Sequence, residues 1–190
     1  MILKWIDDKD FISEKFSGQN LIQTEYNNCT FNACDFSETD FKDSDLVNCQ
    51  FVNCNFSLAK LSGTGIKDVR FTGCKLIGLG FNACSDFLFS VSFVNCKLDY
   101  SSFVEKKMKK TIFTGCSLLD VDFSASDLSQ AVFDRCDLLN TVFHRTNLEK
   151  ADFSSSVNYS FDPEANKIKK AIFSLPEVSG LLRKYNIVIT

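Results

Sequence analysis

The chain has 190 residues, 45% of them apolar and 24% charged, with a formal net charge of −3. That is the length of one domain with enough apolar material for a core. No stretch is long and apolar enough to span a bilayer, so a membrane protein of the helical kind is excluded.

Taken in chain order, Met1-Ile2-Leu3-Lys4-Trp5 turns acidic at Asp7 and Asp8. It lacks the apolar h-region and cleavage site of a signal peptide, so a cytoplasmic location is expected. Residues 1–10 form a lead-in, in which Leu3, Trp5 and Ile6 are expected to cover the open end of the segment that follows.

A ruler begins at residue 11. Phe11, Phe31, Phe51, Phe71, Phe93, Phe113, Phe133, Phe153 and Phe173 are spaced by twenty residues, except for one step of twenty-two before Phe93. The same side chain therefore returns to the same place once per coil of backbone, which makes the chain a solenoid. Within each coil every fifth residue is large and apolar, as in Phe31, Phe36, Phe41 and Leu46. After the slip the series resumes with Leu88, Phe93, Leu98, Phe103 and Met108. A small residue usually stands two positions earlier, as at Cys34, Thr39, Ser44, Ala131 and Thr141. A period of five belongs to neither helix nor strand. It fits a backbone that turns a corner every five residues, with the large and small residues both pointing into a narrow, filled bore.

Residues 82–87 hold the two-residue insertion and read as a bulge or small loop at a corner. Lys106 stands where a small inward residue is expected, which predicts distortion of the side at 104–110. The pattern fails after Ser154, because Asn158 and Pro163 take ladder places, so 156–165 reads as a loop. Ile168, Ala171 and Phe173 restore the register for a last coil. Residues 174–190 differ in kind. Ser174-Leu175-Pro176-Glu177 reads as a capping box with Pro near a helix start. Leu175, Val178, Leu181, Leu182 and Tyr185 follow helical spacing, which predicts an α-helix over about 175–185. Ile187-Val188-Ile189 is a short strand-like tail with more apolar surface than a cap needs.

Cys34-Asp35-Phe36-Ser37-Glu38, Ser126-Asp127-Leu128-Ser129-Gln130 and Ala151-Asp152-Phe153-Ser154-Ser155 carry the motif small, Asp or Asn, Leu or Phe, polar, any. In this the chain resembles the pentapeptide-repeat family over residues 11–173. The resemblance implies an all-β fold: a right-handed quadrilateral parallel β-helix of about eight to nine coils, roughly 40 Å long at the usual strand separation, with a short C-terminal α-helical cap. Relatives dimerise through the C-terminal helix, so Leu175, Val178, Leu181, Leu182, Tyr185, Ile187 and Ile189 are the candidate cap and homodimer residues.

Nine cysteines invite a disulfide or metal reading, but all fall on the small inward position, six of them as a ladder: Cys34, Cys54, Cys74, Cys96, Cys116 and Cys136. They are read as core, since buried free Cys behaves as a small hydrophobe and no short paired spacing of a zinc site occurs.

Charge runs in blocks: −6 over residues 1–45, +5 over 46–115, −6 over 116–165 and +4 over 166–190. Asp120, Asp122, Asp127, Asp134 and Asp137 in the second acidic block are the candidate binding surface. Lys106, Lys107, Lys109 and Lys110 lack interleaved aromatics, so direct nucleic-acid binding is not expected. His144 is the only histidine and should point outward, so no nucleophile–base pair can be assembled and no enzyme, cofactor or metal is expected. Function must then lie on the outside of the rod, in binding a protein. Within its family the chain looks like the quinolone-resistance (Qnr-type) group, and that likeness implies a DNA mimic that engages the type II topoisomerases DNA gyrase and topoisomerase IV. The alternative is a protein–protein scaffold whose partner the residues do not name.

Overall fold

Corners make this fold. In successive coils one corner is occupied by Ala33, Asn53, Gly73, Asn95, Gly115 and Arg135, with φ of 54, 54, 64, 52, 62 and 52°. Glycine and asparagine take this left-handed conformation readily, whereas Ala33 and Arg135 are held in it by their N–H groups, which donate to Val52 O and Ser155 Oγ of the next coil. At Gly73 and Gly115 a Cβ would also strike the side-chain oxygens of Asn53 and Asn95 in the preceding coil.

The structure, a computed structural model, describes residues 4–188. Four faces close each coil of a right-handed quadrilateral parallel β-helix of about eight turns. The first face is a nine-stranded parallel sheet running from Asp10–Ile12 to Ile172–Phe173. The second and third are ladders of single bridges, such as Lys97↔Ser117 and Ser102↔Asp122. The fourth is a four-stranded parallel sheet, Lys4–Asp7, Thr24–Asn27, Asp45–Val47 and Gly65–Lys67. Beyond Lys67 this face continues as bridges, such as Lys107↔Asp127.

The twenty-residue register is literal: Phe31 pairs with Phe51, Phe51 with Phe71, Phe71 with Phe93, and Phe113 with both Phe93 and Phe133. From Phe11 to Phe173 the rings stack at centroid separations from 4.6 to 5.7 Å. A second column, Phe81, Phe103, Phe123 and Phe143, stacks at 4.5, 5.1 and 5.5 Å and meets the first edge-on. Stacking within a column and edge contact between columns satisfy the ring quadrupoles in both directions.

The small inward residues have a second duty. The hydroxyls of Thr39, Ser44, Thr64, Thr141 and Ser156 each donate to a carbonyl of the preceding coil, Thr141 to Leu118 O at 2.7 Å and Ser156 to Phe133 O at 2.6 Å. Cys49, Cys54, Cys74 and Cys136 place Sγ against the equivalent carbonyls at 3.3 to 3.4 Å. Cys, Ser and Thr interchange here because each is small and each carries a donor. Among the described residues no buried side-chain polar atom lacks a partner.

The insertion departs from expectation. A tight 3₁₀ turn, Phe81–Ala83, precedes it. Ser85 still bonds back to Thr64 in the old register, and Ser90 donates to Ile66 O. The extra residues therefore lie in the bulge 86–89, which shares only its first two positions with the expected 82–87. Leu88 does not join the ladder: it is 66% exposed at a corner with φ of 57°, and Phe87 beside it is 68% exposed. Phe89 turns inward instead and packs on the core. Nor is the side at 104–110 distorted, since Lys106 and Met108 keep the regular bonds to Phe103 O and Asp127 O. Lys106 is buried, and its long side chain reaches up beneath the bulge of the preceding coil. There Nζ donates to Cys84 O at 2.5 Å and Asp86 Oδ1 at 2.6 Å, with the Phe89 ring centroid 5.2 Å away. The two extra residues open a gap at that corner that a small side chain would leave empty, and the lysine fills it and satisfies the exposed carbonyl.

Both ends of the rod also differ from expectation. Lys4–Asp7 pairs with Thr24–Asn27, so the lead-in is itself a coil edge. Ile6 packs on the core, Trp5 is exposed, and Leu3 lies outside the described residues. Residues 156–165 are more than a loop: Val157 bridges to Asp137, Tyr159 and Phe161 turn inward to close the bore on Phe153, and Pro163–Ala165 is a 3₁₀ turn capped by the Asp162 carboxylate. The C-terminal helix begins at Val178, not 175, and is wound as a 3₁₀ helix, Val178–Tyr185. The capping box does not form. Glu177 instead accepts from the Asn158 backbone N–H at 2.9 Å, pinning the helix to the last coil. Gly180 sits so close to the Tyr159 carbonyl that no Cβ fits. No helix among the described residues is long and apolar enough to cross a membrane.

Candidate protein-binding surface

Because coils stack in chain order, blocks of sequence become bands along the rod. The −6, +5, −6 and +4 segments of the sequence follow one another from the N-terminal end to the C-terminal end. This conversion of sequence position into axial position is particular to a solenoid.

The five candidate aspartates lie in the second acidic band, but they encircle it. Asp134 ends a strand of the first face. Asp137 bridges Ser117 and Val157 on the second, Asp122 bridges Ser102 and Val142 on the third, and Asp127 bridges Lys107 and Asn147 on the fourth. Asp120 occupies the corner between the second and third faces, with φ of 53°. A square rod shows a flat partner at most two faces, so these acids form a belt and not one contact surface.

Most of them also have structural duties. Asp122, Asp127 and Asp137 each accept from the backbone N–H two residues on, at 2.8, 3.0 and 3.1 Å, and so tie down the corner that follows. Asp137 also accepts from the Asn158 side chain at 2.8 Å. Asp134 is held by Arg135 and Ser155. The Asp or Asn before each ladder residue is thus a turn-forming side chain first.

The chemistry of the interior is closed. All nine cysteines are free and buried. Burial pushes the Cys49 thiol up to about 12 and the Cys84 thiol up to about 12. Burial also raises Cys29 and Cys34, whereas hydrogen bonds between stacked thiols divide the ladder, raising Cys74 and Cys116 and lowering Cys54, Cys96 and Cys136. A thiolate in this apolar bore would lose its hydration. His144 is exposed. Among the described residues no group of three His, Cys, Asp or Glu side chains is placed to hold a metal ion.

At the C-terminal end, Leu181 is buried, Val178 packs on the core and Leu182 is half-buried, so these three serve the cap. Leu175, Tyr185 and Ile187 are exposed, as is Val188, whereas Ile189 lies outside the described residues. Lys184 Nζ lies 2.6 Å from Asp162 Oδ1 and 2.5 Å from Glu164 Oε2, and Tyr185 OH donates to Glu164 at 3.0 Å. The helix is therefore clasped to the last coil, with an apolar fringe beyond it.

Sequence reasoning did not single out Phe87 as an outward-facing residue. It also missed Arg70, which lines a groove of about 420 Å³ with Gln50, Asp68 and Ser92. Phe87 escaped because its direction depends on where the insertion falls, and Arg70 because the repeat does not specify the outward position beside each ladder residue.

Comparison with known proteins places the chain. No curated protein matches it in sequence. A family model for a pentapeptide repeat region matches residues 24–103, and one for pentapeptide repeats matches residues 92–130 and 116–154. A trypsin-treated form of QnrB1, described as a plasmid-mediated fluoroquinolone resistance protein, superposes with a TM-score of 0.60 at 18% identity, covering 98% of this chain and 100% of QnrB1. A second trypsin-treated form gives 0.61 at 17%, with 100% of each chain covered. HetL, a pentapeptide repeat protein involved in heterocyst differentiation regulation in the cyanobacterium Nostoc sp. strain PCC 7120, gives 0.54 at 13%, covering 90% of this chain and 87% of HetL. With the family models spanning more than half of the chain and the twenty-residue coil explicit in the strand pairing, this protein belongs to the pentapeptide-repeat family.

Proposed function

We propose that this chain is a non-enzymatic rod that binds another protein along its side, and that it forms a homodimer through its C-terminal end. The observation that carries the first part is the filled bore. The ladders pack the interior from Tyr26 to Phe161, which leaves the exterior as the place for a ligand among the described residues. A rigid repeat surface is the usual means by which solenoids present an extended contact area. Affinity capture from native cytosol, with the rod's exposed charges reversed band by band, tests this reading. Capture that no band reversal alters would remove it.

The homodimer rests on Leu175 before the clasped helix, Tyr185 at its end and Ile187 and Val188 after it, all of them exposed. Light scattering tests it. A mass of about 21.4 kDa at all concentrations would exclude the dimer, and a doubled mass that Leu175→Asp with Ile187→Asp abolishes would support it.

The partner to test first is a type II topoisomerase. The fold likeness to QnrB1 over the whole of both chains favours it. A duplex mimic presents continuous negative charge, and here the acidic bands are interrupted by one of +5, so contact would be confined to the acidic bands. Purified protein should change gyrase supercoiling, or quinolone-stabilised cleavage, in a dose-dependent way. No change at protein concentrations well above that of the enzyme would rule gyrase out and leave the scaffold reading in place.

A further inference from the structure

We propose that the edge between the fourth and first faces, where the insertion interrupts the coil, is a docking channel for an acidic linear peptide segment with an apolar residue. It rests on the reading of the chain as a protein-binding rod and names the chemistry of what this one edge would take.

Two grooves meet there. One, of about 420 Å³, has Arg70 and Asp68 at its rim. The other, of about 160 Å³, is lined by Phe89, Ser90, Lys107, Lys109, Lys110 and Ile112. Ser92 lines both, so they form one trough along the rod. Ser92 is paired with Arg70 in the coil before, and the Phe93–Phe113 pairing sets Ile112 beside it in the coil after. From Arg70 to Ile112 the trough therefore runs across three coils. An extended peptide of about four residues spans the roughly 10 Å between the outer two of them.

Charge selects the occupant. Arg70, Lys107, Lys109 and Lys110 are exposed, and none takes part in an ion pair among the described residues. Among the residues lining the two grooves, four cations outside any ion pair stand against a single carboxylate, Asp68, so the trough attracts a chain of negative charge. Of the carboxylates outside the lining, Asp86 is already neutralised by Lys106, and Asp127, the bridge partner of Lys107, accepts from the Ser129 backbone N–H at 3.0 Å.

The apolar wall selects a peptide over a nucleic acid. Phe89 and Ile112 line the groove, Ile112 exposed in it, and Phe87 and Leu88 stand exposed on the bulge immediately before Phe89. Lys106 anchors this bulge from beneath, so its side chains are presented at little ordering cost. Aliphatic side chains at Leu88 and Ile112 bury against a leucine or phenylalanine of a peptide and offer nothing to a phosphate backbone. Basic rims around apolar anchors match acidic segments carrying one bulky residue.

Fluorescence anisotropy with the full-length chain tests the proposal. The probes are a labelled peptide of alternating Glu and Asp with one central Leu, the same peptide with Ser for Leu, and an oligothymidylate of equal charge. The Leu peptide should bind, the Ser peptide at least threefold more weakly, and the oligothymidylate more weakly than either. The triple variant Lys107→Glu, Lys109→Glu, Lys110→Glu should lose at least tenfold in affinity, and Lys→Arg at the same three positions should retain it. These side chains are exposed, and circular dichroism confirms that the variants are folded. Absence of Leu-peptide binding, binding that survives the triple reversal, or tighter binding of the oligothymidylate would each overturn the proposal. Any of those outcomes leaves the partner capture experiment above unaffected, so failure of this channel and failure of the protein-binding reading are distinguishable.

Discussion

Lys106 Nζ lies 2.6 Å from Asp86 Oδ1, with Lys106 buried in one coil and Asp86 on the bulge of the coil before. The same ammonium donates to Cys84 O, so one side chain occupies the inward place of a small residue and ties down the bulge at 86–89.

Its two contacts should be unequal. Asp86 is 71% exposed and regains water when its partner is lost, whereas the buried Cys84 carbonyl does not. Lys106→Ala should therefore cost about 1–3 kcal/mol, from the orphaned carbonyl. Asp86→Asn should cost below about 1 kcal/mol, as a largely exposed ion pair does. Urea unfolding of the two variants checks the ranking, and equal losses would contradict it.

Ladder position sets the cost of losing a ring. Phe113 is fully buried and stacked on both sides, at 5.3 Å to Phe93 and 5.0 Å to Phe133. Phe113→Ala should cost about 3–5 kcal/mol. Phe11 is only half-buried and has a stacking partner on one side, so Phe11→Ala should cost less than half as much. Denaturation followed by circular dichroism measures both, and equal costs would argue against the stacked column as the main source of stability.

The thiols should be silent until the rod opens. Native protein should not react with a thiol reagent at neutral pH, and all nine cysteines should react once the chain is denatured. Cys49 is held protonated in the fold up to about 12, above the ordinary thiol value of 9.0. A raised acid contributes its stability below the unfolded pKa and loses it as pH rises, so the melting temperature should fall progressively above about pH 9. A Cys49→Ser variant should flatten that decline slightly. It should fold, because Ser44 and Ser156 already occupy equivalent places with a carbonyl to donate to.

Acid should release the C-terminal helix first. Lys184 holds the Asp162 and Glu164 carboxyls below their ordinary values of 3.8 and 4.5. Groups with lowered pKa contribute stability above the unfolded value and lose it as pH falls through the folded one. Hydrogen exchange over Val178–Tyr185 should therefore quicken as pH drops below about 4, with the coils still protected. Lys184→Gln should show that faster exchange already at pH 7. Unchanged protection of the segment in the variant would show that Leu181 and Gly180 suffice to hold it.

Residues differed in how much of this they disclosed in advance. Phe51, Phe71 and Phe93 stack because their spacing permits only a coil of one length, and the sequence displays that spacing directly. The inward cysteines were legible for the same reason. Leu88 and Phe89 were not, because an insertion breaks the count and either residue can resume it. The choice of Phe89 follows from the gap between Ile66 and Met108, which only the assembled coils define. The aspartates Asp122, Asp127 and Asp137 were legible as acidic and as repeated, but not as dispersed around four faces with their oxygens already occupied by backbone N–H groups.

Periodicity alone determined the class of fold, the twenty-residue coil, the filled bore and the axial order of charge, since each follows from identical environments recurring at fixed intervals along the chain. Tertiary structure decided what happens where the interval fails: the burial of Lys106, the exposure of Phe87 and Leu88, the inward turn of Tyr159 and Phe161, and the 3₁₀ winding of Val178–Tyr185. At those places a residue's environment is set by the shape of the neighbouring coil, and that shape exists only once the chain has closed on itself.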